Sequence, residues 1–513
     1  VTEQDFDRAV AAGRAALGEN RPERAEALAR DALETLGEDA RLRSILGAAR
    51  LARGDARGAA ADFRLAQKWG GDDADLYYAM GVALRAAGNP EEALRCWRES
   101  LARDPGHADA ATNATLGALQ AGRWAEACAL ADAAIAHGVV DPRLPLWQGH
   151  ALAKLHRDAE AAIAYRRAVE LAPGDAEAWF ALALTLRDLR CFDAARAALV
   201  RVLEIAPEHA DAGFEAAQIA LMEGRWKDGF SLWDGRLRRR SALLPDDLPG
   251  RPWDGTPCPG ETLLLQAEQG LGDTLQFLRY VPLAAERAGR IVLRAHPPLV
   301  RLLSRTEWPW RVIGLTDAAE ADRHAPLLSL PRMMGVYSPC AEGAAYLASA
   351  FPRGAAHRRP RVALVWAGNR VHYNDSRRSC RLADFVRLRQ VDGIDFRHFQ
   401  IDADAAEVRN LWPELADATQ GLADCLDTAQ RLRECDLAIS VDTALAHLAG
   451  AMDLPAWVLV PFVADWRWGG SGETTPWYPR ARVWRQRTAG DWAELLGRVA
   501  AALAAWRDAM TSP

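Results

Sequence analysis

The sequence predicts an α + α/β architecture, an α-helical solenoid followed by two α/β lobes with parallel sheets. Two observations carry this. Small residues recur every 34 positions through the first half of the chain, and beyond about residue 243 short apolar runs alternate with amphipathic stretches. The expected bounds are 1–243 for the solenoid, 244–355 for the first lobe and 356–513 for the second. A length of 513 residues agrees, since about 150 residues per domain gives three.

The repeat is read first. Alanine stands at positions 25, 59, 93, 127, 161 and 195, and glycine at 13, 47, 81 and 149, always 12 residues ahead of an alanine. A bulky residue follows the alanine at Phe63, Trp97, Tyr165 and Leu199, and proline closes units at Pro105, Pro173 and Pro207. Small residues suit the close approach of two helices in a hairpin, the bulky residue fills the space between hairpins, and proline cannot continue a helix. Six units run from about residue 6 to 209, and a weaker seventh has Gly229 in the alanine frame between Trp226 and Trp233. The pattern resembles the tetratricopeptide repeat, whose stacked hairpins offer a concave groove to a protein partner. A purely structural or dimerising role is the alternative.

The helical pattern ends in Arg236-Leu-Arg-Arg-Arg240, expected as a solvated helix end, and a Pro/Gly-rich stretch at 244–257 marks a boundary. Buried strands are expected at 262–267, 291–294, 361–366, 395–400, 436–440 and 456–460. Helices are expected at 274–288, 428–435 and 491–508, the last lying across two Rossmann-like lobes.

Composition excludes several classes. Lys plus Arg number 63 against 69 Asp plus Glu, a net charge of -6 that argues against bulk attraction to nucleic acid. No apolar run approaches the ~20 residues of a membrane span, and the acidic start lacks the order of a secretion signal. Eight cysteines lie scattered at 96, 128, 191, 258, 340, 380, 425 and 435, without metal-ligand spacing. A reduced, cytoplasmic setting without structural zinc or disulfides is expected.

Three clusters could carry chemistry. Gln269-Gly270-Leu-Gly272-Asp273 joins a strand to a helix; a dinucleotide fingerprint would want glycine at 275, where leucine stands. Asp273 is either a helix cap or a general base at a cleft mouth. The loop from Trp366 through Gly368, Asn369, Asn374, Arg377 and Arg378 is rich in amides and cations that suit phosphate, or is a solvated surface loop. In Ser440-Val-Asp442-Thr443-Ala444-Leu-Ala-His447 a strand runs into a helix start, where N–H groups would face an anion and Asp442 or His447 could bind sugar or phosphate. A lone histidine on such an apolar stretch is ordinarily a satisfied core residue, but the spacing of His447 from Asp442 favours donor binding here.

Together, the Gln-Gly-Leu-Gly-Asp loop, the Trp-x-Gly-Asn loop and Ser-x-Asp-Thr-x-x-x-His resemble the heptosyltransferase-related glycosyltransferases of the GT-B fold, over roughly residues 250–490. Pro461-Phe-Val-Ala-Asp-Trp-Arg-Trp468 and Pro476-Trp-Tyr-Pro479 are similar to a bacterial subgroup fused behind tetratricopeptide repeats. The resemblance implies an inverting, metal-independent transfer with Asp273 as base and the nucleotide sugar, a co-substrate rather than a cofactor, in the second lobe. Two departures stand out. Tyr373 occupies a place where relatives carry lysine, a charge that Arg377 and Arg378 could replace, and Ala444 stands where heptosyltransferases carry glycine.

The expectation is therefore a cytoplasmic protein O-glycosyltransferase that neither spans a membrane nor binds nucleic acid. By resemblance the acceptor is flagellin, and the sugar a nonulosonic acid such as pseudaminic acid from a CMP donor, with UDP- or GDP-hexose left open. Its rivals are a tetratricopeptide scaffold with a degenerate transferase region, and a lipopolysaccharide-type glycosyltransferase.

Overall fold

The computed structural model describes residues 2–239, 244–245, 247–306, 308–339, 345–352, 354, 359–372 and 374–511. The chain divides into two compact units, Val1–Pro207 and Glu208–Pro513.

The first unit holds twelve helices, from Glu3–Gly18 to Phe192–Ile205, paired as six hairpins of the tetratricopeptide type. The glycine frame works through its partner 16 residues later. A Cβ at Gly47 would lie 2.9 Å from the Phe63 ring, at Gly81 2.4 Å from Trp97 Nε1, and at Gly149 2.5 Å from Tyr165 Cε1. Where Thr115 stands in the glycine frame, the residue 16 positions later is the small Ala131, so a side chain at one position goes with a small residue at the other. Caps follow the same period. Asp73 accepts the N–H of Leu76 at 2.8 Å, Asp175 that of Glu177 at 2.9 Å, and His107 Nδ1 that of Ala110 at 3.2 Å. Pro105 and Pro173 each fall two residues beyond a helix end, at Arg103 and Leu171.

The seventh hairpin, Ala210–Met222 with Trp226–Trp233, belongs to the second compact unit, which begins at Glu208, ahead of the Pro/Gly-rich stretch at 244–257. Its aromatic residues explain this. Trp226 meets the Trp477 ring at 5.4 Å, Trp233 meets Trp466 at 5.5 Å, and Phe230 meets Phe277 at 6.1 Å. The arginine run that follows is only partly the expected solvated helix end: Arg238 is exposed, but Arg236 is not. Arg236 is buried, donating to Glu268 at 2.5 Å, to Ser329 Oγ at 2.9 Å and to Asp234 at 2.8 Å. Arg238 and Arg239 pair with Glu208 and Asp211, and Arg240 lies outside the described residues.

The rest of the second unit carries two all-parallel sheets. The first has the order β1-β5-β2-β3-β4, from strands β1 Arg251–Pro252, β2 Cys258–Gln266, β3 Ala288–Ala295, β4 Arg311–Gly314 and β5 Arg323–Pro326. The second has the order β11-β10-β9-β6-β7-β8, from β6 Arg361–Val365, β7 Asp395–His398, β8 Ala416–Asp417, β9 Leu437–Val441, β10 Ala456–Val460 and β11 Ala481–Arg485. Helix 274–288 of the sequence reading proves to be Leu271–Phe277, a 3₁₀ turn and Val281–Ala285, because Pro282 has no N–H for a continuous ladder. The last helix, Trp492–Thr511, buries Trp492, Leu495, Leu496, Val499 and Leu503 in the core of the second sheet.

Two stability predictions follow from these contacts. Trp97→Ala should cost about 3–5 kcal/mol in chemical unfolding of the full chain, the range for an emptied aromatic site. Arg236→Met strands Glu268 without its cation and should cost about 3–5 kcal/mol, whereas Arg236→Met with Glu268→Leu should recover most of that loss, read as unfolding midpoints of the two variants.

Candidate functional site

In a doubly wound sheet the crevice opens beyond the C-terminal strand ends, where the strand order reverses. In the second sheet that point lies between β6 and β9, which pair directly with Val365 opposite Ser440. Two sequence-predicted clusters leave from it, the Trp366–Arg378 loop after β6 and the Asp442–His447 segment after β9. They meet: Arg378 Nη1 donates to the Asp442 carbonyl at 3.2 Å. Gly368 makes room, since a Cβ there would lie 2.6 Å from Arg378 Nη2, and its N–H donates to Ser379 Oγ at 2.9 Å.

The loop's other members are arranged around this contact. Asn369 is exposed and accepts the Val371 N–H at 3.1 Å, while Asn374 stands just before the short helix Asp375–Arg378 without a side-chain cap bond, and that helix carries Arg377 on its exposed side. Tyr373 lies outside the described residues. The Arg378 Nε is buried without a hydrogen-bond acceptor, 3.6 Å from Asp375.

Helix Ala444–Ala451 begins at the crevice, with Thr443 as its extended N-terminal neighbour bonded to Ser440 at 2.8 Å. The first-turn N–H groups of such a helix have no carbonyl partner within it and face outward. The Asp442 carboxyl is pushed up to about 6, by burial first and then by the charge of Asp465, with the Trp468 indole and the guanidinium groups of Arg378 and Arg467 opposing. His447 is 4% exposed, its Nδ1 2.9 Å from the Tyr478 hydroxyl and its ring 5.2 Å from that of Trp468. Burial, reinforced by Arg467, Arg279 and Arg378, holds its imidazole well below the ordinary range and hence neutral. His447 therefore sits as a packed, hydrogen-bonded residue, 4.0 Å from Asp442.

The first sheet contributes Gln269 to Asp273 after β2. Gln269 has φ of 63°, a left-handed turn, and its carbonyl lies 2.9 Å from His296 Nε2 at the end of β3. Gly270 donates its N–H to Asp273 Oδ2 at 2.8 Å, so Asp273 does cap helix Leu271–Phe277. Its other oxygen is paired with Arg467. Gly272 faces protein rather than an open loop: a Cβ there would lie 2.7 Å from His447 Cδ2. The glycine lets helix Leu271–Phe277 close onto helix Ala444–Ala451 and so brings Asp273 toward the second sheet's crevice.

Sequence reasoning gave no role to Arg467, Asp465, Gln276 or His296. Arg467 bridges the lobes, donating to Asp273, to Gln276 Oε1 at 2.5 Å and to Asp465 Oδ1 at 2.9 Å. The available signal was a single cation inside the apolar run from Pro461 to Trp468. Among the described residues, no group of three or more His, Cys, Asp or Glu is placed to hold a metal ion. No helix among them is long and apolar enough to cross a membrane.

Comparison with known proteins agrees with the first unit. Tetratricopeptide-repeat family models match residues 74–107, 112–176 and 164–197, so these helical hairpins are tetratricopeptide repeats, a protein-binding scaffold. The chain is 25% identical over 458 residues to Protein FlbA of Caulobacter vibrioides, covering 81% of this chain and 76% of that one. Among solved structures, YrrB, described as a TPR protein with an unusual peptide-binding site, is 26% identical and covers 35% of this chain and 92% of its own, with a TM-score of 0.33. The C-terminal part of a TPR repeat-containing protein from Cytophaga hutchinsonii is 13% identical, covers 45% and 94%, and has a TM-score of 0.39.

Asp442 gives the site a measurable pH dependence. A folded pKa of about 6 against ~3.9 unfolded means the native state binds the proton more tightly. Its contribution is fully favourable below about pH 4 and is lost as pH rises to about 6. Asp442→Asn should match the wild type near pH 4 and exceed it in stability by about 2–3 kcal/mol at pH 7.5, read from urea unfolding across that range.

Proposed function

We propose that the chain is a metal-independent, inverting glycosyltransferase of the GT-B class that acts on a protein bound by its tetratricopeptide repeats. One observation carries the proposal: the strand-order reversal of the second sheet brings the Gly368–Arg378 loop to the start of helix Ala444–Ala451, and Gly272 packs Asp273 toward that same crevice. An anionic diphosphate or monophosphate matches this arrangement. Helix N–H groups at Thr443 and Ala444, the Arg378 guanidinium and the amides of Asn369 and Asn374 are all donors, and no metal is then required to neutralise the leaving group.

The step balances simply. Asp273 takes the proton of a Ser or Thr hydroxyl, the oxygen attacks the anomeric carbon, and the carbon–phosphate oxygen bond breaks with its electron pair passing to the nucleotide. Arg378, with Arg377 beside it, receives that charge. His447 supports the crevice from behind rather than touching phosphate. The acceptor in this reading is flagellin and the donor sugar a nonulosonic acid on CMP, as the repeat-fused relatives imply. Similarity to FlbA over 81% of the chain exceeds either compact unit alone, which favours one working assembly of repeats and sheets.

A second reading has one observation in its favour. Both Asp273 oxygens are already engaged, by Gly270 and Arg467, as they would be in a scaffold whose transferase region had lost its chemistry. Incubating the purified chain with flagellin and CMP-pseudaminic acid, UDP-hexose or GDP-hexose separates the two, since transfer adds one sugar mass to flagellin. Asp273→Asn should lower that transfer about 10²–10⁴-fold while leaving flagellin binding unchanged. Arg378→Ala should weaken nucleotide binding at least about tenfold, the loss of a charge-assisted hydrogen bond, measured by calorimetry. Undiminished transfer by Asp273→Asn removes the base, and an unmodified flagellin mass with every donor favours the scaffold.

A further inference from the structure

Arg467 touches both sides of the candidate crevice. Its anchoring is uneven. Nε donates to Gln276 at 2.5 Å and Nη1 to Asp465 at 2.9 Å, and the backbone N–H of Arg467 also donates to Asp465 at 3.0 Å. These bonds fix the stem and one edge of the guanidinium. Nη2 is spent on Asp273 alone. The side chain is 8% exposed, against 21% for Asp273, so the pair lies at the buried wall of the crevice with the carboxylate toward its mouth. Arg467 also acts electrostatically on Asp442 and His447, which places its charge within reach of the helix start where phosphate is proposed to bind.

Three carboxylates, Asp273, Asp465 and Asp442, thus crowd around Arg467 and Arg378. Such a site is overstocked with negative charge for an anion unless one carboxylate gives up its cation. Asp465 is held by both the backbone N–H and Nη1 of Arg467 and Asp442 meets Arg378 through its backbone carbonyl, which leaves Asp273, on Nη2, as the partner that can be exchanged. An incoming phosphate and the Asp273 carboxylate compete for the same guanidinium edge, and phosphate offers it more oxygen acceptors.

We infer that Arg467 is a donor-binding residue whose Nη2 trades the Asp273 carboxylate for a phosphate oxygen of the nucleotide, so that the base is released only when a donor is in place. This rests on the proposed transferase reading and adds a binding order to it, donor before acceptor. It also accounts for the doubly engaged Asp273 as the resting state of a working base, with the Gly270 N–H holding the carboxylate in position throughout.

The test is a double-mutant cycle on the full chain, titrated with CMP, UDP and inorganic pyrophosphate by calorimetry. Asp273→Asn removes the competitor and should tighten binding about five- to tenfold. Arg467→Gln should weaken it at least about tenfold. In the Arg467→Gln background, Asp273→Asn should no longer tighten binding, because its effect acts through the guanidinium. Equal tightening in both backgrounds would mean a general field effect and overturns the inference, as does Arg467→Gln binding like the wild type. Should Arg467→Gln not fold, a crystal of the wild-type chain with UDP decides: Nη2 within hydrogen-bond reach of phosphate and off Asp273 supports the exchange, and Nη2 still on Asp273 ends it. Failure of the wild type to bind any of the three probes, or GDP titrated in the same way, overturns the transferase reading itself, a result distinct from intact binding with an unchanged cycle.

Discussion

A missing Cβ opposite a bulky side chain is the constraint on which both halves of the molecule are built. In the repeats, Gly47, Gly81 and Gly149 each receive an aromatic ring closer than any side chain would allow. In the second unit Gly272 receives His447, Gly450 receives Tyr478 at 2.3 Å from the position its Cβ would take, and Gly368 receives the Arg378 guanidinium. In the repeats the device sets how closely helices pack. In the second unit the same closeness brings a carboxylate on one sheet's helix up to an anion-suited helix start on the other sheet. Close packing and candidate chemistry therefore depend on the same positions, and a methyl group at Gly272 would disturb both.

Three buried arginines add a second layer. Arg236 reaches into the strand-order reversal of the first sheet, beside Glu268 after β2 and Ser329 after β5. The crevice that would hold a ligand there is thus occupied by the chain's own cation, and burial pushes the Glu268 carboxyl upward while Arg236 opposes it. Arg279 donates to the carbonyls of Gln276 and Trp477 at 2.8 and 3.0 Å and stacks within 5.0 Å of Tyr478 and 5.2 Å of Trp477. Arg467 completes the set between Asp273 and Asp465. Each guanidinium joins segments far apart in the chain, a task suited to a planar group with five donors and ill suited to lysine. Burial without such partners would cost more than the contacts return, so each arginine also fixes where its neighbours must be.

How much of this was legible in the sequence depends on range. The repeats were, because helix contacts recur at a fixed separation and write themselves as a period: Gly81 and Trp97 are 16 residues apart. The strands β2, β6, β9 and β10 were legible as unbroken apolar runs. The four-residue strands β4 and β5 were not, since Arg311-Val-Ile-Gly and Arg323-His-Ala-Pro are too short and polar to stand out. Nor was β11, whose Ala481-Arg-Val-Trp-Arg485 alternates as a half-covered edge does. The candidate site divides in the same way. Loops that follow strands could be found from their neighbours, but Arg467 and Asp273 are 194 residues apart and nothing local couples them. The same holds for Arg236: its partner Glu268 lies beyond the Pro/Gly-rich stretch at 244–257, so nothing local signals the pairing.

Asp273 illustrates why helix capping and general-base chemistry need not exclude one another. A carboxylate that must receive a proton from an incoming hydroxyl has to be held in place before the hydroxyl arrives, or ordering it becomes part of the barrier. The bond from Gly270 supplies that placement through one oxygen and leaves the second to face a partner. In the resting chain the partner is Arg467, and an oxygen held by a guanidinium is not open to an incoming hydroxyl. Pairing and reactivity are therefore opposed at Oδ1 while capping and reactivity cooperate at Oδ2. A residue chosen only to cap would gain nothing from a buried arginine drawn in from another lobe, with its own desolvation to offset. Gln276 and Asp465 already tie Arg467 in place, so its bond to Oδ1 is an addition to that anchoring rather than its sole support.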